Sequence, residues 1–209
     1  MPNRRAMLFA TVAVASFCAA GAGLATEAGP VINALAPAWS GVTSTGATAS
    51  LDQFRGKTVV MEWTNHGCPF VQKHYDGGNM QATQAIAAKD EDVVWVTVIS
   101  SAPGKQGHVS GAAAEALSIK RGATPDHVIL DEAGTIGRAY RARTTPQIFV
   151  INADGILKYD GAMDDNPSSK LSALDGATNY ALAAMKAVLA GEDPDPAKTK
   201  PYGCSVKYK

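Results

Sequence analysis

Two cysteines carry the reactive chemistry that this sequence could support. Cys68 stands directly before Pro69 in the stretch NHGCPFVQKHY, and Cys204 lies in the closing stretch PYGCSVKYK. A cysteine thiolate attacks disulfides and peroxides, so either residue could act in redox chemistry. An oxidoreductase of the Cys-X-X-Cys type carries its second cysteine three residues after the first, and Val71 occupies that position. The third cysteine, Cys18, lies in the N-terminal segment described below as a signal peptide, so Cys204 is the partner that the chain itself offers to Cys68.

Cys68 lies where a predicted strand meets a predicted helix. Residues 57–64, KTVVMEWT, are β-branched and aromatic and predict a strand. Pro69 fits the first turn of a helix, because its missing N–H costs nothing there. The N-terminal amides of such a helix would stabilise a thiolate and lower the pKa of Cys68. The alternative for a cysteine in this place is a small buried hydrophobic residue.

Three further residues could serve a thiol site. Glu62 lies six residues before Cys68 on the predicted strand. Strict alternation places its side chain opposite its two apolar neighbours, which leaves two alternatives: a solvent-facing carboxylate, or an acid beneath the thiol that shuttles protons. Thr145 and Pro146 directly precede the predicted strand QIFVI. A proline in that position cannot donate to the strand ladder and indicates a sheet edge or a cis turn.

The elements that must position these residues alternate along the chain. After the first strand, the sequence predicts a helix broken at 77–78, a strand over 92–100, a helix over 108–122, a strand over 127–131, a short helix over 133–142, a hairpin turning at 153–155 and a last helix over 170–189. This order predicts an α/β fold with a central mixed sheet flanked by helices. About a dozen extended residues span roughly 40 Å, so a C-terminal tail could carry Cys204 across a small domain.

The charge balance bears on the partners of the protein. Lysine plus arginine and aspartate plus glutamate number 19 each, which favours neither nucleic acid nor an anionic membrane as a partner.

The N-terminal segment indicates where the protein is located. A signal peptide is predicted over residues 1–25, from the basic residues Arg4 and Arg5, an apolar run and the small residues at 23–25. Its cleavage would remove Cys18 and leave no stable membrane span, so we expect a periplasmic or secreted protein. The mature chain then divides into a lead-in arm (26–50), a domain (51–190) and a tail (191–209).

The order of these motifs resembles the thioredoxin superfamily. The likeness rests on Cys-Pro at a helix start, then Thr-Pro, a strand, the turn ADG, a strand and a helix. Within that superfamily, the stretches LAPAWSGV and SLDQFRGKTVVMEW resemble the peroxiredoxin-like redoxins, the alkyl hydroperoxide reductase and thiol-specific antioxidant group. The resemblance implies a thioredoxin-like fold with Cys68 as the reactive cysteine and Pro146 as a cis-proline opposite it. Thr145 would present its backbone to a bound disulfide or peptide, and Glu62 would take the place of the buried acid.

The sequence departs from the peroxidatic pattern, which has proline seven places and threonine or serine three places before the cysteine. Those positions hold Met61 and Asn65, which weakens the case for fast peroxide reduction. We therefore expect a thiol-based oxidoreductase, without a cofactor or metal, in which Cys68 attacks a disulfide or hydroperoxide and Cys204 resolves the intermediate. Its partners would be an external thiol reductant, a disulfide-bearing protein or a hydroperoxide. The alternatives are a binding or scaffold protein with a structural disulfide, and a copper-handling protein.

Histidines and an arginine near these motifs have two interpretations each. His66, if protonated, would lower the pKa of Cys68, or it is an exposed loop residue. His74 could join a metal site, but it lies six residues from Cys68, and metal pairs on a helix are spaced by three or four. Arg143 could steady an oxyanion near the thiolate or lie at the surface.

Overall fold

A five-stranded mixed sheet lies at the centre of the structure, a computed structural model that describes residues 29–209. In chain order the strands are β1 (Ser40–Val42), β2 (Thr48–Ser50), β3 (Thr58–Trp63), β4 (Val93–Ile99), β5 (His127–Leu130), β6 (Thr144–Thr145), β7 (Gln147–Ile151), β8 (Leu157–Gly161) and β9 (Cys204–Ser205). The central sheet has the order β5-β4-β3-β7-β8. Strands β3, β4 and β5 are parallel, whereas β7 is antiparallel to β3 and β8 is antiparallel to β7. The predicted signal peptide lies outside the described residues.

Helices and the N-terminal arm cover the two faces of this sheet. The helices are α1 (Pro69–Asp76), α2 (Asn79–Ala87), α3 (Gly111–Arg121), α4 (Thr135–Ala139) and α5 (Tyr180–Leu189). Apolar residues of α1, α2 and α5 pack with Val60 and Trp95 on one face, and Trp39 and Ile136 pack with Met61 on the other. This is the thioredoxin-like α/β fold that the sequence predicted.

The two central parallel strands are buried along their whole length. Every residue of β3 and β4 is buried, because both faces of the sheet are covered. Glu62 therefore points into the interior, and the solvent-facing alternative for its side chain is wrong. Alternation predicts exposure only where one face of a sheet meets water, and β3 has no such face.

The last predicted helix, over 170–189, is interrupted. A short 3₁₀ turn covers Leu171–Leu174, and α5 begins only at Tyr180. Gly176 lies between them with φ of +73°, in the left-handed region, which ends the first turn. The Asn179 side chain then accepts a hydrogen bond from the N–H of Leu182 and caps the start of α5. The break predicted at 77–78 is confirmed, since α1 ends at Asp76 and α2 starts at Asn79.

The C-terminal tail is docked along the domain. Residues Cys204 and Ser205, which form β9, pair with β6 in an antiparallel ladder of two residues on each side. Beyond β9, the N–H of Ala102 donates to the Lys207 carbonyl at 2.9 Å, and the Tyr208 hydroxyl donates to the Ala142 carbonyl at 2.8 Å. Within residues 29–209, no helix has both the length and the apolar character to cross a bilayer.

Candidate active site

Cys68 occupies the N-cap position of α1, at the end of the loop that follows β3. Its backbone N–H donates to the Asn65 carbonyl at 3.0 Å, and the N–H of Gly67 donates to the Asn65 side chain at 2.9 Å. These bonds close a tight turn that brings the sulfur to the N-terminal end of the helix. Pro69 follows in the first helical turn, where no N–H partner is needed. The Cys68 side chain is fully buried.

The loop that precedes β7 faces the sulfur of Cys68. The Thr145–Pro146 peptide is cis, which is one of the two alternatives that the Thr-Pro motif left open and the one that the family resemblance implied. In the thiol form, Cys68 Sγ donates a hydrogen bond to the Thr145 carbonyl oxygen at 3.1 Å. Gln147 stabilises this loop, because its Oε1 accepts a hydrogen bond from the backbone N–H of Arg143 at 3.0 Å. The side chain of Arg143 is exposed at the edge of this loop.

The tail places Cys204 beside Cys68. In the β6–β9 ladder, Cys204 lies opposite Thr145, and the Thr145 hydroxyl donates to the Cys204 carbonyl at 3.4 Å. The backbone N–H of Cys204 donates to Cys68 Sγ, also at 3.4 Å. Both cysteines are free thiols. Gly203 permits this contact: its φ is +135°, and a Cβ at that position would overlap the Thr145 carbonyl.

The pKa values of the two thiols are shifted in opposite directions. Burial raises the pKa of Cys68, but the Cys204 thiol, the backbone amides of Val71 and Cys204 and the Thr145 side chain outweigh it, so the net pKa is lower than that of an ordinary thiol. Burial and the adjacent Cys68 raise the pKa of Cys204 to about 11. Cys68 is therefore the first of the two to ionise, and Cys204 holds its proton and stabilises the thiolate.

Glu62 lies in a pocket of neutral hydrogen-bond donors. Within residues 29–209, its carboxylate accepts hydrogen bonds from the side chains of Tyr75, Gln84, Trp95 and Thr97 at 3.0 to 3.4 Å, and Cys68 is not among these partners. Burial raises the pKa of Glu62, and these hydrogen bonds only partly offset that effect. Any proton transfer between Glu62 and Cys68 would have to pass through other groups.

A second buried polar group was not expected from the sequence. This group joins α1 to the tail and is here named the Lys73 cluster. It consists of Lys73, His74, Asp164 and Tyr202. The Lys73 ammonium donates to Asp164 at 3.0 Å, to the Asn166 carbonyl at 2.9 Å and to the Tyr202 hydroxyl at 2.8 Å. Lys73 and Asp164 are almost completely buried. The one sequence signal is a lysine inside a helix with an apolar face, which by itself indicates nothing about its partners.

The two histidines near the cysteine both have lowered pKa values. Burial and the neighbouring Arg121 lower the pKa of His66, which disfavours the protonated form that the sequence suggested as one alternative. Burial lowers the pKa of His74 to about 4, and His74 hydrogen-bonds with Asn79 and Tyr202 in the Lys73 cluster. Among the described side chains, no group of three or more His, Cys, Asp and Glu residues is arranged to hold a metal ion.

A buried cysteine at the start of a helix, opposite a cis-proline that precedes a sheet strand, places this protein in the thioredoxin-like class. A family model described as Redoxin matches residues 31–177. The chain belongs to the Redoxin family, and its activity is therefore of the oxidoreductase type in the broad sense. No curated protein matches the chain.

Solved structures of similar proteins support the fold. A hypothetical protein from Sinorhizobium meliloti 1021 is 20% identical, with a TM-score of 0.70 over 86% of this chain and 95% of that chain. An uncharacterized conserved protein from Geobacillus kaustophilus is 21% identical, with a TM-score of 0.71 over 86% of this chain and 93% of that one. The similarity thus extends over nearly the whole length of both relatives.

Proposed function

We propose that the protein is an exported thiol–disulfide oxidoreductase in which Cys68 is the nucleophile and Cys204 is the resolving cysteine. The observation that carries this proposal is the contact between the two, with the Cys204 N–H 3.4 Å from Cys68 Sγ. The lowered pKa of Cys68 and the raised pKa of Cys204 support this division of roles. Export rests on the predicted signal peptide over residues 1–25.

The reaction begins when the Cys68 thiolate attacks one sulfur of a substrate disulfide. A mixed disulfide forms, and the second substrate sulfur leaves as a thiolate that takes up a proton. Cys204 then loses its proton and attacks Cys68 Sγ, which releases the first substrate sulfur and closes a Cys68–Cys204 bond. The substrate gains two electrons and the protein loses two. An external dithiol reductant returns the protein to the reduced form.

The substrate is proposed to bind as an extended peptide along β6. In the reduced protein that edge is occupied by β9, so the tail takes the place of a peptide with its cysteine over Cys68. The ladder has only two residues on each strand, so its replacement by another strand breaks few hydrogen bonds. Thr145 and Pro146 would then present their backbone to the substrate, as the family resemblance implied.

A disulfide is favoured over a hydroperoxide as the substrate. Asn65 stands where peroxidatic enzymes have threonine or serine, and its side chain accepts the Gly67 N–H and donates to the Gln106 carbonyl. Met61 stands in the proline position and is packed in the core on the opposite face of the sheet. Neither residue is available to orient a peroxide at the sulfur.

The test is a redox titration of the mature protein in glutathione buffers, read by alkylation mass shift and peptide mapping. A Cys68–Cys204 bond that opens between roughly −120 and −270 mV supports a thiol–disulfide catalyst. A bond still closed below about −300 mV indicates a structural disulfide and overturns the proposal.

Two variants locate the step at which each cysteine acts. Cys68→Ser is expected to abolish reduction of a peptide disulfide, since no thiolate remains to attack it. Cys204→Ser is expected to accumulate the mixed disulfide at Cys68, which intact-mass measurement detects. Undiminished turnover by Cys68→Ser would refute the assignment of the nucleophile.

A further inference from the structure

We propose that Tyr202 is a positioning residue that holds Cys204 against Cys68 by inserting its hydroxyl into the buried Lys73–Asp164 ion pair. This inference rests on the proposed function and adds to it the device that sets the reactivity of the resolving cysteine. Among the described residues, the hydroxyl of Tyr202 hydrogen-bonds with Lys73, His74 and Asp164 and not with either sulfur, so its proposed action is through the position of Cys204.

The hydroxyl of Tyr202 completes the hydrogen bonding of both ions. It accepts a hydrogen bond from Lys73 at 2.8 Å and donates one to Asp164. Lys73 has three N–H bonds to donate, and they go to Asp164, the Asn166 carbonyl and Tyr202. If the tail leaves, one donor of a buried ammonium and one acceptor of a buried carboxylate lose their partner, which is costly in a low-dielectric environment.

The ring of Tyr202 is held as well as its hydroxyl. It packs edge-on against Phe70 with ring centroids 5.7 Å apart, and the Lys73 ammonium lies 5.1 Å from its centroid. Phe70 and Lys73 are both on α1. Tyr202 is therefore fixed to the same helix whose N-terminus carries Cys68.

The spacing of the two attachment points matches along the helix and along the tail. Lys73 follows Cys68 by five residues, a rise of roughly 7.5 Å along a helix. Cys204 follows Tyr202 by two residues, which cover roughly 7 Å when extended. A tail anchored at Lys73 and running back along α1 thus reaches the sulfur of Cys68 with Cys204.

The main experiment compares wild type with Tyr202→Phe, which keeps the ring and removes only the hydroxyl. Two quantities are measured: the equilibrium constant of the Cys68–Cys204 bond against glutathione, and the rate at which iodoacetamide alkylates Cys68 in the reduced protein. We expect the equilibrium constant to fall by about tenfold, equivalent to a rise of about 30 mV in the midpoint potential. The alkylation rate is compared above the ordinary pKa of a thiol, where loss of thiolate stabilisation by Cys204 matters little. There it should become faster by a similar factor, because the tail covers the buried sulfur less of the time.

Tyr180→Phe is the matched control. Tyr180 lines the same surface cavity as Tyr202 and Asp164, but among the described residues its hydroxyl makes none of the hydrogen bonds of the Lys73 cluster. We expect this variant to match wild type in both measurements. Values for Tyr202→Phe within about twofold of wild type would overturn the inference and leave the proposed function standing.

Failure of the proposed function has a different signature. Wild type could form no Cys68–Cys204 bond in any glutathione buffer while Tyr202→Phe still speeds alkylation of Cys68. That result would refute the resolving role of Cys204 and support the positioning role of Tyr202. Should Tyr202→Phe fail to fold, hydrogen exchange of the reduced wild-type protein decides the question. Protected backbone amides at residues 203–206 support the positioning role of Tyr202. Exchange of these amides at the rate of an unstructured peptide overturns that role.

Discussion

Glu62 and Asp164 are both buried carboxylates bound to residues of α1, but their surroundings differ. Among residues 29–209, the hydrogen-bond donors to Glu62 are all neutral, including the Tyr75 hydroxyl at 3.0 Å, and burial raises the pKa of Glu62. Asp164 is paired with the Lys73 ammonium at 3.0 Å and also receives the hydroxyl of Tyr202 from the tail. The Glu62 pocket thus joins core elements to one another, whereas the Lys73 cluster joins the core to a segment that must move during the proposed reaction.

The difference distinguishes the buried group that would support the proposed reaction from the one that supports the core. A buried acid whose hydrogen-bond donors lie on the sheet and the helices favours one packing arrangement of the core. A buried ion pair completed by a tail residue makes tail docking and ion-pair burial depend on each other. The three predictions below separate these two effects.

The largest loss of stability is expected from Asp164→Asn. This change leaves the buried Lys73 ammonium without its counter-ion, at a cost of about 3–5 kcal/mol in the free energy of unfolding measured by denaturant titration. Asp193→Asn is the control, because Asp193 is exposed and its pair with Lys158 lies at the surface. We expect less than about 1 kcal/mol there. An equal loss in the free energy of unfolding in the two variants would mean that the buried Lys73–Asp164 pair stabilises the fold no more than a surface pair.

Glu62→Gln is expected to cost less, about 1–3 kcal/mol, because the NH2 of the amide cannot accept the hydrogen bonds that a carboxyl oxygen of Glu62 accepts. Its effect should also depend on pH. The folded protein holds the Glu62 proton more tightly than the unfolded chain, so the wild type has this stabilisation in full below the ordinary pKa of 4.5. It loses the stabilisation as the pH rises through the raised pKa of the folded state.

Denaturant titrations of the wild type and Glu62→Gln between about pH 4 and pH 8 measure this dependence. The stability advantage of the wild type over Glu62→Gln should shrink as the pH rises. An advantage that grows with pH would mean that Glu62 is ionised in the fold and stabilised as an anion.

The smallest change in stability, with a clear effect at the thiol, is expected from Gly203→Ala. The new Cβ would overlap the Thr145 carbonyl and lift Cys204 away from Cys68, so alkylation of Cys68 in the reduced protein should speed up by about tenfold. Gly191→Ala is the control: Gly191 also has a positive φ, of +75°, but nothing lies within 4 Å of its Cβ position. In both variants alanine must adopt a positive φ, which is expected to lower the free energy of unfolding by about 1 kcal/mol. An equal alkylation rate in the two would contradict the close approach at Gly203.

The sequence predicted those parts of the fold and site that depend on local chemistry. Pro69 in a first helical turn and Pro146 before a strand have few permitted backbone conformations, so their surroundings follow from the residue type. The predicted helix over 170–189 was wrong in the middle because Gly176 adopts a left-handed conformation, which a glycine permits but does not require.

The Lys73 cluster could not be predicted for a different reason. Lys73 is 91 residues from Asp164 and 129 from Tyr202, and no periodicity or motif connects these positions. The burial of Glu62 was only one of two alternatives that strand alternation left open, since it depends on helices covering both faces of the sheet. In each case the missing information is the tertiary packing that brings distant segments together.

The pairing of β6 with β9 also affects how the protein behaves towards copies of itself. A strand with unpaired N–H and C=O groups is a template for strands of other molecules and favours aggregation. In the docked state Thr144 and Thr145 satisfy this edge with the protein's own tail. In the proposed reaction, each displacement of the tail would expose this unpaired strand edge for a short time, and return of the tail would limit self-association as well as prepare the next reaction.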